Sequence, residues 1–198
     1  MSTWEQLQAV GPQSYICGYC GNNVSSKEGY HTSDGNRLNY PIIVICPGCN
    51  CPSYFRSEPS GGGANRVFQT PAPMLGNEVE ALPIEILTIY KEARQCTSAE
   101  AYTASIMACR KILMHVAVQK GAKEGKSFVD YVEYLSTNHY VPPDSKIWVD
   151  HIRQKGNEAN HEIVIMSQAD ALELLSFVEM LLKFIYEFPA RILSKPSL

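Results

Sequence analysis

Cys17-Gly18-Tyr19-Cys20-Gly21 is followed, after 25 intervening residues, by Cys46-Pro47-Gly48-Cys49. Each is a C-x2-C pair in a glycine-containing turn, a spacing that aims two thiolates at one tetrahedral cation. Pro41-Ile42-Ile43-Val44-Ile45 is a β-rich run leading into the second pair, the pattern of a ribbon strand ending in a knuckle. So short a segment has little apolar material for a core, and structural zinc contributes on the order of 10 kcal/mol to folding in such modules. The expected ligands are therefore Cys17, Cys20, Cys46 and Cys49, holding a structural Zn2+. The competing reading is four unrelated buried thiols. Cys51 and His31 have less suitable offsets, and Cys51 reads as a thiol beside the knuckle. Four thiolates leave no open coordination position, so no catalysis is expected at the metal.

Outward from the knuckles, Tyr19, Tyr40, Tyr54, Phe55 and Arg56 are candidates for stacking on nucleic-acid bases. Lys27, Arg37, Arg56 and Arg66 nevertheless face an acidic majority in the same segment, so a protein-contact or structural role is weighed equally. Ser57-Glu58-Pro59-Ser60-Gly61-Gly62-Gly63 opens a linker that Pro71-Ala72-Pro73 stiffens, with Val67 and Phe68 able to form a short strand between them. The glycine run lacks the Gly-Lys-Ser/Thr ending of a phosphate loop. The expected division is a ribbon module with its linker over 1–75 and a helical module over 76–198.

Beyond the linker the apolar period becomes helical. Pro83 suits a first helical position ahead of Ile86, Ile89, Tyr90 and Ala93, and Thr97-Ser98-Ala99-Glu100 fits a capping box for a second helix. Ser127-Phe128-Val129-Asp130 opens a third, and Ser167-Gln168-Ala169-Asp170 the last. On that last helix Ala171, Leu174, Leu175, Val178, Leu181, Leu182 and Ile185 make one stripe, and Phe177, Met180, Phe184 and Phe188 a second. Two stripes imply burial on both sides, and a homodimer seam is the expected use of the second. The predicted class is mainly α: a four- to five-helix bundle preceded by a small β zinc ribbon.

Composition bounds the function. Of 198 residues, 45% are hydrophobic and 19% charged, with a net charge of -3, which argues against a broadly basic nucleic-acid coat. The first residues lack a signal-peptide pattern, no apolar run is long enough to cross a membrane, and the seven cysteines suit metal or thiols. A cytoplasmic location without membrane contact is expected.

The remaining chemistry lies in His151-Ile152-Arg153-Gln154-Lys155-Gly156-Asn157-Glu158-Ala159-Asn160-His161. If it is helical, Arg153, Asn157 and His161 fall four apart and form a ladder of guanidinium, carboxamide and imidazole on one face. Together with Leu82-Pro83, Tyr90-Lys91-Glu92-Ala93 and Ala108-Cys109-Arg110-Lys111-Ile112-Leu113, this stretch resembles domain-of-unknown-function family 4145, which is similar to the HEPN helical superfamily. The likeness spans roughly residues 80–190, and a cysteine-rich ribbon in front is a familiar arrangement in that family. It implies a HEPN-like bundle. Active members of the superfamily are metal-independent endoribonucleases with an R-x4–6-H motif doubled across a dimer. There an arginine stabilises charge on the scissile phosphate and a histidine moves the proton. Asn157 and His161 match the motif's polar residue and histidine, but Gly156 stands at the arginine position and Arg153 lies three residues earlier.

Three readings of the chain follow. One is an RNA- or nucleotide-associated HEPN-like interaction module, with a place in defence or stress systems implied by the family's fusion partners. The second is an endoribonuclease using His161 and Arg153. The third is a protein-binding adaptor without nucleic-acid contact. Under the first or third, Asn157 and His161 could instead be a buried polar lock that fixes the bundle's register.

Overall fold

The computed structural model describes residues 4–31, 41–58, 66–141 and 165–193. The chain divides into two compact units, Met1–Met74 and Leu75–Leu198.

The first unit is an antiparallel meander of five strands in the order β1-β2-β3-β4-β5: β1 Gln8–Ile16, β2 Asn23–His31, β3 Ile42–Ile45, β4 Pro52–Glu58 and β5 Arg66–Thr70. Sequence reading anticipated β3 and a short strand at Val67-Phe68 but not the length of β1 and β2. Those strands, QAVGPQSYI and NVSSKEGYH, are largely polar and lack apolar alternation. Their register is set by the ladder, which a polar sequence can still build: Ser14 faces Ser25, Tyr15 faces Val24 and Ile16 faces Asn23. Register shifts between Ala9 and Gln13, where Gly11-Pro12 interrupts the pairing.

The sheet has two unlike sides. Val44 pairs with Ser53 and Ile42 with Phe55, and Val44, Ser53 and Phe55 are buried. With Val10, Tyr15, Cys17 and Cys46 they make a small core, and the rings of Tyr15 and Phe55 meet edge to face at 5.2 Å. The alternate residues form the outer side.

The second unit is helical. Its elements are α1 Ile84–Ser98, α2 Tyr102–Gln119, α3 Phe128–Thr137, α4 Gln168–Leu182, a π-helical turn Lys183–Glu187 and α5 Phe188–Leu193. α2 packs on α1, α3 and α4. Ile106, Cys109, Ile112, Leu113, Val116 and Ala117 of α2 are buried, on more than one side of the helix. Ser127 and Ser167 both close capping boxes with Asp130 and Asp170. Thr97 does not: it lies in the last turn of α1, where its hydroxyl meets the Ala93 carbonyl at 2.9 Å and Ser105 Oγ at 2.6 Å. Glu100, at φ 61, makes the turn instead.

The mainly α class expected from the sequence is therefore wrong. A five-stranded sheet forms a unit of its own before the helices, and the chain is a β unit followed by an α unit. Apolar periodicity alone sees β3 and passes over polar strands, which are specified by their pairing with neighbours.

The last apolar stripes also divide differently from expectation. Ala171, Leu174, Leu175, Val178, Leu181 and Leu182 are buried, and so is Phe177, which belongs to the second stripe. Phe184 and Phe188 remain 47% and 48% exposed, and Ile192, one turn further on, is 71% exposed. The π turn adds a residue to the ring of each hydrogen bond and shifts the helix phase. Its last residue, Glu187, is consequently buried, accepting from the Glu80 amide at 3.0 Å and pairing with Arg191 at 2.9 Å.

A polar clasp ties residues 75–80 to the helices. Arg94 donates to the carbonyls of Leu75 and Gly76, and Tyr90 to that of Asn77. Glu179 accepts from the Asn77 amide and side chain at 2.8 Å each and from Lys183 Nζ at 2.6 Å. Burial raises the Glu179 pKa, but these donors outweigh it and hold the carboxyl below its ordinary value of 4.5. A carboxylate with a lowered folded pKa stabilises above the unfolded value, and that contribution is lost as pH falls through the folded one. Glu179→Gln should therefore be less stable than wild type at neutral pH. The two denaturant midpoints should converge on acidification below about pH 4, as measured by urea unfolding across a pH series.

Candidate metal centre

Antiparallel pairing of β2 with β3 places the β1–β2 and β3–β4 turns at the same end of the sheet. The two turns are built alike. In the first, the Cys17 amide donates to the Asn22 carbonyl at 3.0 Å and the Gly21 amide to the Cys17 carbonyl at 2.9 Å. In the second, the Cys46 amide donates to Cys51 and the Asn50 amide to Cys46, both at 2.9 Å. Gly21 (φ 71) and Asn50 (φ 58) occupy the same left-handed position, one that glycine and asparagine tolerate best. A side chain at Gly18 would collide with the backbone of the following segment, its Cβ 2.4 Å from the Pro71 oxygen.

These turns bring Cys17, Cys20, Cys46 and Cys49 together, every sulfur within 4.8 Å of the others. Cys17 and Cys49 sulfurs are 3.7 Å apart, and Cys20 and Cys46 sulfurs 3.8 Å. A tetrahedron of thiolates about 2.3 Å from a central zinc has sulfur–sulfur edges of about 3.8 Å. The same separations are far too long for a disulfide, which closes at about 2.05 Å. The four cysteines named from the sequence can thus hold one metal ion.

Electrostatics agree with a ligand set. Burial opposes ionisation of Cys46, but the amides of Cys49 and Gly48 and the thiols of Cys49 and Cys17 bring its pKa down to about 7. Burial pushes the Cys17 and Cys49 thiols up, a bias that a shared cation would reverse. The Tyr19 amide adds an N–H···S contact to Cys17 at 3.4 Å. Tyr15 is raised to about 12, chiefly by desolvation.

The stacking candidates separate by side. Tyr54 and Arg56 point outward, Phe55 points into the core, Tyr19 sits exposed on the first knuckle, and Tyr40 lies outside the described residues. Tyr30 and Phe68 were missed. Pairing of Tyr30 with Ile43, Ile43 with Tyr54 and Arg56 with Phe68 puts all of them on the outer side. The Arg56 guanidinium stands 4.5 Å over the Phe68 ring, and Trp4 lies 6.4 Å from Tyr30. Only the strand register could have found these two residues.

Arg153, Asn157 and His161 lie outside the described residues, as does the whole stretch 151–161. In the helical unit a groove of about 860 Å³ runs beside α2, lined by Met107, Met114, Arg110, Lys111, His115 and Phe128 among others. Arg110 is buried with its guanidinium 4.4 Å over Phe128, and the acidic Glu92 and Glu124 line the same groove as the cationic Arg110 and Lys111. Lys120, which follows α2, stands over the rings of Tyr140 and Tyr186.

The family model described as Domain of unknown function (DUF4145) matches residues 91–195, more than half of the chain. The chain belongs to this family. The DUF4145 match begins inside α1 and leaves the ribbon outside it. No curated protein and no solved structure matches the chain. Among the described residues no helix is long and apolar enough to cross a membrane.

Because thiols must lose their protons to bind as thiolates, metal affinity should fall by roughly tenfold or more per pH unit on acidification. Cys46→Ser should abolish stoichiometric metal uptake, read by elemental analysis. It should also unfold the sheet while the helical circular dichroism persists.

Proposed function

We propose that this chain is an RNA-associated, homodimeric interaction module, in which a structural zinc ribbon presents a stacking surface and a HEPN-like helical unit supplies the dimer seam. Zinc is the metal that four thiolates in a closed tetrahedron favour, and such a site stabilises rather than catalyses. The observation that carries the RNA reading is the outer side of the sheet. Tyr54 is 39% exposed there, beside Tyr30, Ile43 and a guanidinium stacked on Phe68. Bases stack on such platforms with little regard to sequence, at about 1–3 kcal/mol per base. The α2 groove is the weaker candidate, because Glu92 and Glu124 line it along with Arg110 and Lys111.

With few cations at the surface, affinity rests on stacking more than on charge. Tyr54→Ala or Phe68→Ala should weaken binding of a short fluorescein-labelled single-stranded RNA by about tenfold or more. The salt slope should stay shallow, near 0.7 per phosphate contacted. Fluorescence anisotropy reads both, and no binding at low salt would end the RNA reading.

The dimer is supported by Phe184, Phe188 and Ile192, an exposed apolar row at successive helical turns. Phe188→Asp should convert the dimer to a folded monomer in sedimentation equilibrium.

A further inference from the structure

The segment in front of β1 is tied to the rest of the ribbon at two places. Trp4 Nε1 donates to the Asn50 carbonyl at 3.0 Å, and the Tyr30 hydroxyl donates to the Glu5 carbonyl at 2.5 Å. Gln6, at φ 55, turns the chain between these ties and β1. The indole is half-buried, and its ring centre lies 6.4 Å from that of Tyr30 with 59° between the planes, so the two rings are not stacked face to face. Tyr30 begins the cross-strand row Tyr30, Ile43, Tyr54 on the outer side of the sheet. Trp4 adds an aromatic ring at the Tyr30 end of that row. The acceptor that fixes the indole belongs to the second knuckle. Asn50 is left-handed at φ 58 and donates its own amide to the Cys46 carbonyl at 2.9 Å. The direction of its carbonyl is therefore set by the closing of the turn that carries Cys46 and Cys49.

We infer that Trp4 is a further base-stacking residue of the outer platform, and that the closed second knuckle positions it there. The inference rests on the RNA reading of that platform and on the zinc reading of the thiol cluster. An indole whose N–H is already bonded to a backbone carbonyl can give its ring face to a base without leaving a polar group unpaired. Stacking of this kind tolerates any base, because every base has a π-face. The knuckle bond makes the ring's placement conditional. A cation shared by the four thiolates holds the turn closed, and its removal takes away the oriented acceptor. Metal content, indole surroundings and RNA affinity should therefore change together.

Trp148 is the chain's other tryptophan, so Trp148→Phe leaves Trp4 as the sole indole. This full-length chain, loaded with zinc, is titrated at low salt with single-stranded oligouridylate while indole emission is followed, and affinities are read by anisotropy of the labelled RNA. RNA should quench Trp4 emission with the midpoint that anisotropy gives. Trp4→Ala should weaken binding about tenfold. Trp4→Phe, which keeps a ring but loses the knuckle bond, should weaken it less. Chelating the zinc should shift Trp4 emission to longer wavelength and weaken RNA binding, and zinc returned should restore both. Emission unchanged by bound RNA, or wild-type affinity in a zinc-loaded Trp4→Ala chain, overturns the stacking role. Emission indifferent to zinc removal overturns positioning by the knuckle. Should Trp4→Ala take up no zinc, the presence or absence of quenching in the Trp148→Phe chain decides. A wild-type chain that binds no RNA sinks the RNA reading and this inference with it, and one that takes up no zinc sinks the metal centre; both are distinguishable from RNA binding that ignores Trp4.

Discussion

Four sulfurs converging on one point are the constraint on which the first unit depends. Its buried apolar residues are few, essentially Val10, Tyr15, Val44 and Phe55 beside two of the cysteines themselves. Two of its longest strands are polar. Backbone pairing in a meander offers little net free energy when each bond replaces one to water. Closing two distant turns on a single cation would contribute on the order of 10 kcal/mol and would also fix which strand end meets which. The sheet's two sides follow. With register set at the knuckles, alternation sends Val44, Ser53 and Phe55 inward and Ile43, Tyr54 and Arg56 outward.

The second unit depends on a different force. Its core is a contiguous set of Leu, Ile, Val and Phe side chains around α2 and α4, each full burial contributing on the order of 1.5–3 kcal/mol. Among the described residues, its buried side-chain nitrogens and oxygens have partners. Arg94 is spent on two carbonyls, Glu179 on three donors, and Glu187 on an amide and a guanidinium. Such saturation marks these residues as fasteners rather than reagents. Among the described residues, exposed apolar and aromatic side chains include Tyr54 on the outer side of the sheet and the row of Phe184, Phe188 and Ile192 at and after the π turn.

The family match and the metal centre occupy different units, and this shapes the functional reading. DUF4145 membership describes the helices and says nothing of the ribbon. The thiol geometry describes the ribbon and says nothing of the helices. A metal held by all four thiolates would have no position left for substrate.

Local chemistry made part of this legible from residues alone. Two C-x2-C turns specify their own ligands, because the turn itself aims the thiolates. Ser127 and Ser167 announce their helices, because a capping box is complete within four residues. Thr97 carries the same signature and failed, since burial against Ser105 took its hydroxyl for another bond. The length of β1 and β2, the burial of Glu187 and the company of Tyr30, Phe68 and Arg56 on one side were decided only by tertiary structure. Each depends on a partner distant in the chain: a neighbouring strand's register, a π turn's change of phase, an amide more than a hundred residues away. Sequence periodicity reports the side chain's own preference, whereas these outcomes belong to the pairing of segments.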